Sequence, residues 1–338
     1  MSEKKRITLD DVARLAGVSA ITVSRALRRP EMVSEAVRKR IDSAVAELGY
    51  VPNPAARHLA TGRSNVIGVL IPSVTNNVFS EVLKGIYAAS ETSPYDVQLA
   101  NTRYCANTEE SALRLFASQK PAGMVVSGFD QTEAGRKLLE TLDCPVVQIM
   151  ETGEDPVDVC VGLSHFHAAE AATRHLLAQG YRRPGFLGAR MDPRTRRRFA
   201  GFRAEAQAAG VFAEARVVTS TEASSVTKGA EMLRQLMAQA PEVDAIFCNN
   251  DDLALGALFE AQRLGLSVPE RLGICGFNDL EVMAVANPSL TSVRTRRFEM
   301  GRSAIEIILA RLDGGWQGPR VVDLGHEVIA RQSTARQR

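Results

Sequence analysis

Between Ala189 and Phe202 the chain reads Ala-Arg-Met-Asp-Pro-Arg-Thr-Arg-Arg-Arg-Phe-Ala-Gly-Phe, with five arginines between residues 190 and 198. Asp192 can cap a helix that has Pro193 in its first turn, so the arginines gather around a helix N-terminus, which itself favours anions. Phe199, Phe202 and Ala206 form an apolar stripe on that helix with Arg198 on its border; Arg196 and Arg197 are expected to be solvated. Amides supply a second ingredient: Asn76 and Asn77 precede Phe79, Asn249 and Asn250 precede Asp251, and Asn278 follows Phe277. Guanidinium forks grip carboxylates and phosphates, and amides exchange hydrogen bonds with hydroxyls. This chemistry suits the binding of a small polar anion, although a solvated cationic turn shows the same arginines. There is no Gly-rich phosphate loop and no Gly-x-Ser-x-Gly elbow, and His165 and His167 have no second His four residues on. No catalysis, metal or cofactor is expected.

These residues sit just after short apolar runs. Candidate strands are 66–71, 97–100, 123–127, 146–150, 185–188, 217–219, 245–248 and 272–277, with a last one near Val328-Ile329. Amphipathic stretches such as Phe79-Val82-Leu83-Ile86 lie between many of them. The alternation predicts parallel α/β sheets covered on both faces. About 270 residues suit two such sheets facing one another, with a cleft outside the carboxyl ends of the strands. The candidate cleft residues are Asn76, Asn77, Phe79, Met150, Arg190, Arg194, Arg198, Asn250, Asp251 and Asn278. Asp251 is expected mainly to cap the helix over 253–259. Glu151 fits an anionic ligand only if it points away or meets a polyol tail.

The first 65 residues carry a net charge of +5 and the remainder −3. A basic head on a mildly acidic body suggests a head that meets a polyanion. Three short helices are predicted in it. Thr8 with Asp11 makes a capping box for the first, which Gly17 ends. Ser19 caps a second that stops near Pro30; Ser34 caps a third, with Val37, Ile41, Ala44, Val45 and Leu48 on one face and Gly49 at its end. Two helices joined by Gly-Val-Ser form a helix-turn-helix, whose second helix fits the DNA major groove, although a generic three-helix bundle shows the same pattern.

Leu9-Asp10-Asp11-Val12-Ala13-Arg14-Leu15-Ala16-Gly17-Val18-Ser19, then Thr22-Val23-Ser24-Arg25-Ala26-Leu27, resembles the N-terminal signature of the lactose/galactose repressor family of bacterial regulators. Val33-Ser34, Leu48-Gly49-Tyr50 and Pro52-Asn53 extend the match. The resemblance implies base-reading positions at Ala20, Ile21 and Arg25. Arg25 has the fork for guanine, while Ala20 and Ile21 offer only apolar contact. It also implies that residues 53–63 form a hinge helix that orders in the minor groove, with Leu59 wedged between base pairs; alone, so short a helix is marginal. The DNA-facing set is Thr8, Ser19, Ala20, Ile21, Thr22, Ser24, Arg25, Asn53, Ala56 and Leu59.

The resemblance extends to the body, which then carries a periplasmic-binding-protein-like fold of two lobes, with Arg198 at an effector-contacting position. Residues 67–73, 187–192 and 247–254 resemble the gluconate-operon repressors in particular. Sugar-binding members of the family often have an aspartate where this chain has Asn278, and an amide there favours a sugar acid. The architecture expected is therefore a helix-turn-helix domain over 1–52, a linker over 53–63 and an effector-binding and dimerisation core over 64–338.

Hydrophobic residues at 45% and charged residues at 24% suit an ordinary soluble chain and exclude a disordered or fibrous one. No apolar run reaches membrane-spanning length, no secretory leader is expected, and five scattered cysteines without a Cys-x-x-Cys pair suit a reducing cytoplasm. The expected function is a homodimeric repressor that leaves double-stranded operator DNA when gluconate or a related sugar acid binds. Two alternatives remain: a sugar-binding receptor without DNA function, and a corepressor-dependent regulator of another metabolic operon.

Overall fold

The computed structural model describes residues 7–28, 30–51 and 64–336, and the chain falls into two compact units that divide between Ser64 and Asn65. In the first unit, α1 (Leu9–Ala16) opens on the Thr8/Asp11 capping box and closes at Gly17, whose φ of 65° is the left-handed conformation that a Cβ disfavours. α2 (Ala20–Arg28) is capped by Ser19, whose Oγ accepts from the Thr22 amide at 3.2 Å. α3 (Glu35–Leu48) has Ser34 at its N-cap position without the side-chain bond expected of it, and it ends at Gly49. Val12, Ala13, Ala16, Val23, Ala26, Ile41 and Ala44 form this unit's core. Leu15 and Leu27 are exposed.

The second unit contains two six-stranded sheets. In order across the first are β11 (Val321–Asp323), β5 (Val159–Gly162), β4 (Val146–Ile149), β3 (Gly123–Ser127), β1 (Val66–Ile71) and β2 (Asp96–Asn101), all parallel. Across the second are β12 (His326–Ile329), β10 (Thr291–Thr295), β9 (Gly273–Asn278), β8 (Ala245–Cys248), β6 (Pro184–Gly188) and β7 (Val217–Thr219). There β12 runs antiparallel to β10 and the other pairs are parallel. Central strands such as β1, β3 and β8 are continuous apolar runs because helices cover both faces.

Helices α4 (Asn77–Ser90), α5 (Ala106–Ser118), α6 (Glu133–Glu140) and, late in the chain, α12 (Arg297–Leu312) cover the first sheet. Helices α7 (His165–Ala178), α8 (Pro193–Ala208), α9 (Val226–Gln239) and α10 (Asp251–Arg263) cover the second, and a single turn, α11 (Val282–Val285), follows β9. The chain passes between lobes three times: after β5, after β10 and after β11. β5, β10 and β11 were not foreseen from the sequence. The first is only four residues long, and the other two are interrupted by polar residues such as Arg294 and Asp323.

Candidate functional site

Strand ends from both lobes converge on one pocket. The first lobe contributes Asn76, Val78, Phe79, Tyr104 and Met150; the second contributes Ala189, Arg190, Asp192, Arg194, Thr195, Arg198, Ser224, Asn249, Asn250 and Asn278. Backbone strain marks the same rim: Tyr104, Met150, Arg190 and Asn278 all have positive φ, 113° at Asn278. Non-glycine residues hold such angles only where surrounding structure over-determines them, and they concentrate at ligand sites.

The local chemistry explains how each group is held. Asn76 caps α4 by accepting from the Val78 amide at 3.0 Å, and its Nδ2 donates to the Tyr104 hydroxyl at 3.1 Å. Asp192 caps α8 through the Thr195 amide at 2.8 Å, with Pro193 in the first turn. Burial would raise the Asp192 carboxyl, but the Arg194 charge and the Thr195 amide outweigh it and hold it below the usual carboxylate range. Asn249 receives the Ala189 amide at 3.2 Å and donates to Thr195 Oγ1 at 2.9 Å, tying the β6 end to the start of α8. Asn250 caps α10 and donates to Ser224 Oγ at 2.6 Å.

The arginines differ in environment. Arg198 is only 7% exposed; its Nε donates to His165 Nδ1 at 3.3 Å, its Nη1 to the Asn249 carbonyl at 2.5 Å, and its guanidinium lies 3.8 Å from the Phe277 ring centroid. Burial above all, opposed by Asp192, lowers it to about 10, so it stays charged at neutral pH. Arg190 lies 3.9 Å over the Tyr104 ring, and Arg194 Nη1 donates to Ser127 Oγ at 3.1 Å. Both contacts join the two lobes. Three arginines against one carboxylate leave the lining with an excess of positive charge.

Several sequence expectations are corrected here. Asp251 does not cap α10, which Asn250 does; its buried carboxylate accepts from Ser292 Oγ at 2.6 Å and the Leu280 amide at 2.7 Å, outside the pocket lining. Burial raises it to about 6 despite those bonds, and a Cβ at Gly276 would strike it. Asn77 is exposed and lines a different cavity, with Ser80 and Glu81. Arg198 is buried rather than at a border, and Arg197 is not simply solvated: it pairs with Glu151 at 2.8 Å and Asp130 at 3.5 Å across the lobes. Glu151 therefore points away from the pocket lining, and burial, more than offsetting Arg197, raises its carboxyl to about 7.

Of the other expected pocket residues, Asn76, Phe79, Met150, Arg190, Arg194, Arg198, Asn250 and Asn278 share one lining. Tyr104, Asp192, Thr195, Ser224 and Asn249 were not on the candidate list; Tyr104 and Ser224 follow β2 and β7, where the same strand-end rule would have found them.

On the head, Ile21 and Arg25 stand four residues apart on an exposed face of α2, with Ile21 72% exposed. Ala20, Thr22 and Ser24 are half-buried, and Thr8 and Ser19 are exposed at the helix starts. Thr22 Oγ1 lies 2.8 Å from Ser19 Oγ. Asn53, Ala56 and Leu59 lie outside the described residues.

Residues 8–53 match the bacterial regulatory proteins of the lacI family, and residues 173–334 match a periplasmic binding protein-like domain. The HTH-type transcriptional regulator GntR of Pseudomonas aeruginosa is 43% identical over 97% of this chain and 96% of its own length. The regulator of that name from Escherichia coli K12 is 40% identical over 96% and 97%. The chain belongs to the lacI family. A crystal structure of a LacI family transcriptional regulator from Silicibacter pomeroyi, 36% identical, superposes with a TM-score of 0.91 over 98% of this chain and all of that one. This lacI-family protein is a DNA-binding transcriptional regulator with an effector-binding core, and it is not an enzyme. Among the described residues, no helix is long and apolar enough to cross a membrane.

Proposed function

We propose that this regulator is a cytoplasmic homodimeric repressor of genes for using gluconate or a related sugar acid, and that the acid, bound between the lobes, releases it from its operator. The observation that carries this reading is the pocket lining. Three arginines face one carboxylate, Asp192, which is itself occupied as a helix cap, and amides and hydroxyls supply the rest of the polar surface. Such a site suits a ligand with one anionic end and a row of hydroxyls. An amide at Asn278 removes a negative charge that would repel the acid. The names of the two GntR relatives agree with the resemblance to gluconate-operon repressors.

On the head, Arg25 supplies the donor fork for a guanine edge and Ile21 an apolar contact for a thymine methyl. Ala20, Thr8, Ser19, Thr22 and Ser24 complete that face, and residues 53–63, with Asn53, Ala56 and Leu59, serve as the linker that orders on DNA. Two heads on a two-fold axis double the contacts that one small head can make. The effector acts by binding one arrangement of the lobes better than another, since only differential affinity shifts an equilibrium.

The test is selection of a duplex from a random library by the full-length chain, followed by titration of the complex with gluconate. Binding should weaken steeply with salt, fall in Arg25→Ala and Leu59→Ala proteins, and be relieved by gluconate. A protein that binds no duplex at low ionic strength refutes the repressor, and tighter DNA binding with gluconate would make the acid a corepressor.

A further inference from the structure

His165 opens α7 at the point where the chain first leaves the first lobe, and its ring is buried between the lobes at 1% exposure. The sequence offered it no role beyond failing as a metal ligand. The structure gives it a specific neighbour. The Nε–H of Arg198 can only donate, so the 3.3 Å bond to His165 Nδ1 requires that nitrogen to carry a lone pair. The proton of a neutral imidazole then sits on Nε2, which has no standard hydrogen-bond partner although the ring interacts with the Met150 backbone. The Phe277 ring packs on both groups: its centroid is 5.7 Å from that of His165 and 3.8 Å from the Arg198 guanidinium.

The Arg198 fork is thereby fixed on three sides, by His165 Nδ1, by the Asn249 carbonyl and by the face of Phe277. Nη2 remains as the end of the fork available to a ligand in the pocket that Arg198 lines. A guanidinium on a flexible stem loses side-chain entropy when a ligand orders it; one already held in plane does not. We propose that His165 is a positioning residue for the effector site, whose neutral imidazole accepts from Arg198 Nε and so aims the remaining guanidinium edge at the anionic end of the effector. The inference rests on the reading of this pocket as the effector site, but its first step, the state of the ring, is independent of any ligand.

Groups facing the imidazole favour that state. Burial foremost, then the charges of Arg198 and Arg194, hold His165 well below the ordinary histidine range, with Arg197 acting in the same sense and the Met150 backbone opposing. A protonated ring would place a second cation against Arg198 and remove the lone pair its Nε needs.

Two measurements on the full-length protein test this. The first is the nitrogen NMR spectrum of histidine-labelled protein without ligand, with the His165 signals assigned by their loss in His165→Asn. The expected result is a neutral ring with the proton on Nε2 at pH 7; a proton on Nδ1, or a charged ring at that pH, overturns the proposal. The second is calorimetric titration with gluconate. His165→Leu, which keeps bulk and removes the acceptor, should bind about tenfold or more weakly, the size of a lost bond to a charged group. His165→Asn, whose Oδ1 can take the place of Nδ1, should recover most of the affinity, and His165→Leu should add little to the loss already present in Arg198→Gln. Cooperative thermal unfolding and a wild-type circular dichroism spectrum in each variant report that the fold is intact. Equal affinity in His165→Leu and wild type, or no rescue by asparagine in a folded protein, contradicts the positioning role. Should wild type bind no gluconate at all, the proposed effector is what fails, and the nitrogen spectrum alone decides whether His165 holds Arg198 as described.

Discussion

The two lobes share a strand order but line the pocket with different chemistry. The first contributes an amide, a phenol and apolar side chains, Asn76, Tyr104, Val78, Phe79 and Met150, and no charge. The second contributes every charged group in the lining together with three more amides. Its charges cluster because β6 feeds directly into the arginine-rich N-terminus of α8, where backbone amides and the helix dipole already favour an anion. On the proposed reading, one lobe supplies the electrostatic grip on the effector and the other a neutral wall. The same α8 arginines also hold the lobes together, through Arg194 to Ser127 and Arg197 to Glu151 and Asp130.

That division can be broken most severely at Arg198. Arg198→Ala should lower gluconate affinity at least 30-fold, about 2 kcal/mol or more, while operator binding survives; the loss comes from truncating a buried charge that is already held in place. Normal release of DNA by gluconate in that variant would remove the second lobe's assigned role. Asn278→Asp should come next, costing gluconate roughly tenfold by setting a like charge near its carboxylate while sparing a neutral polyol. On the first lobe the expected effects are smaller. Tyr104→Ala removes the ring under Arg190 and should weaken binding only a few-fold, in line with about 0.5–1 kcal/mol for such a contact at an accessible site.

Glu151 sharpens the comparison through stability rather than affinity. Its carboxyl is raised from 4.5 to about 7 in the folded core, so the folded state binds the proton more tightly than the unfolded chain. Its contribution is fully present below about pH 4.5 and is lost as pH rises through 7, on the order of 3 kcal/mol in total. Glu151→Gln should flatten that part of the pH–stability profile, measured by thermal unfolding. An unchanged slope would show that Arg197 fully compensates the buried charge.

Much of this was readable from the residues. β1, β3 and β8 lie where their apolar runs placed them, because strands covered on both faces leave an uninterrupted signal. The rule that ligands sit beyond the carboxyl ends of strands brought most of the pocket into view, including Asn76, Met150, Arg190 and Asn278. What escaped depends on partners distant in the chain. Asp251 looks like a helix cap until Ser292, 41 positions away, takes its carboxylate. Arg197 looks solvated until Glu151, 46 positions away, meets it across the lobes. His165 looks inert until Arg198 folds over it. Helical spacing shows which side of a helix is apolar, but not which buried polar group will be waiting there.

The sharpest test of an acid-binding cleft is a pair of calorimetric titrations of the full-length protein, one with gluconate and one with glucitol, which keeps the six-carbon polyol and replaces the carboxylate with an alcohol. The account expects gluconate to bind and glucitol to bind at least about 100-fold more weakly, the difference that two hydrogen bonds to a charged group would supply. Equal affinities would contradict the electrostatic role of Arg190, Arg194 and Arg198.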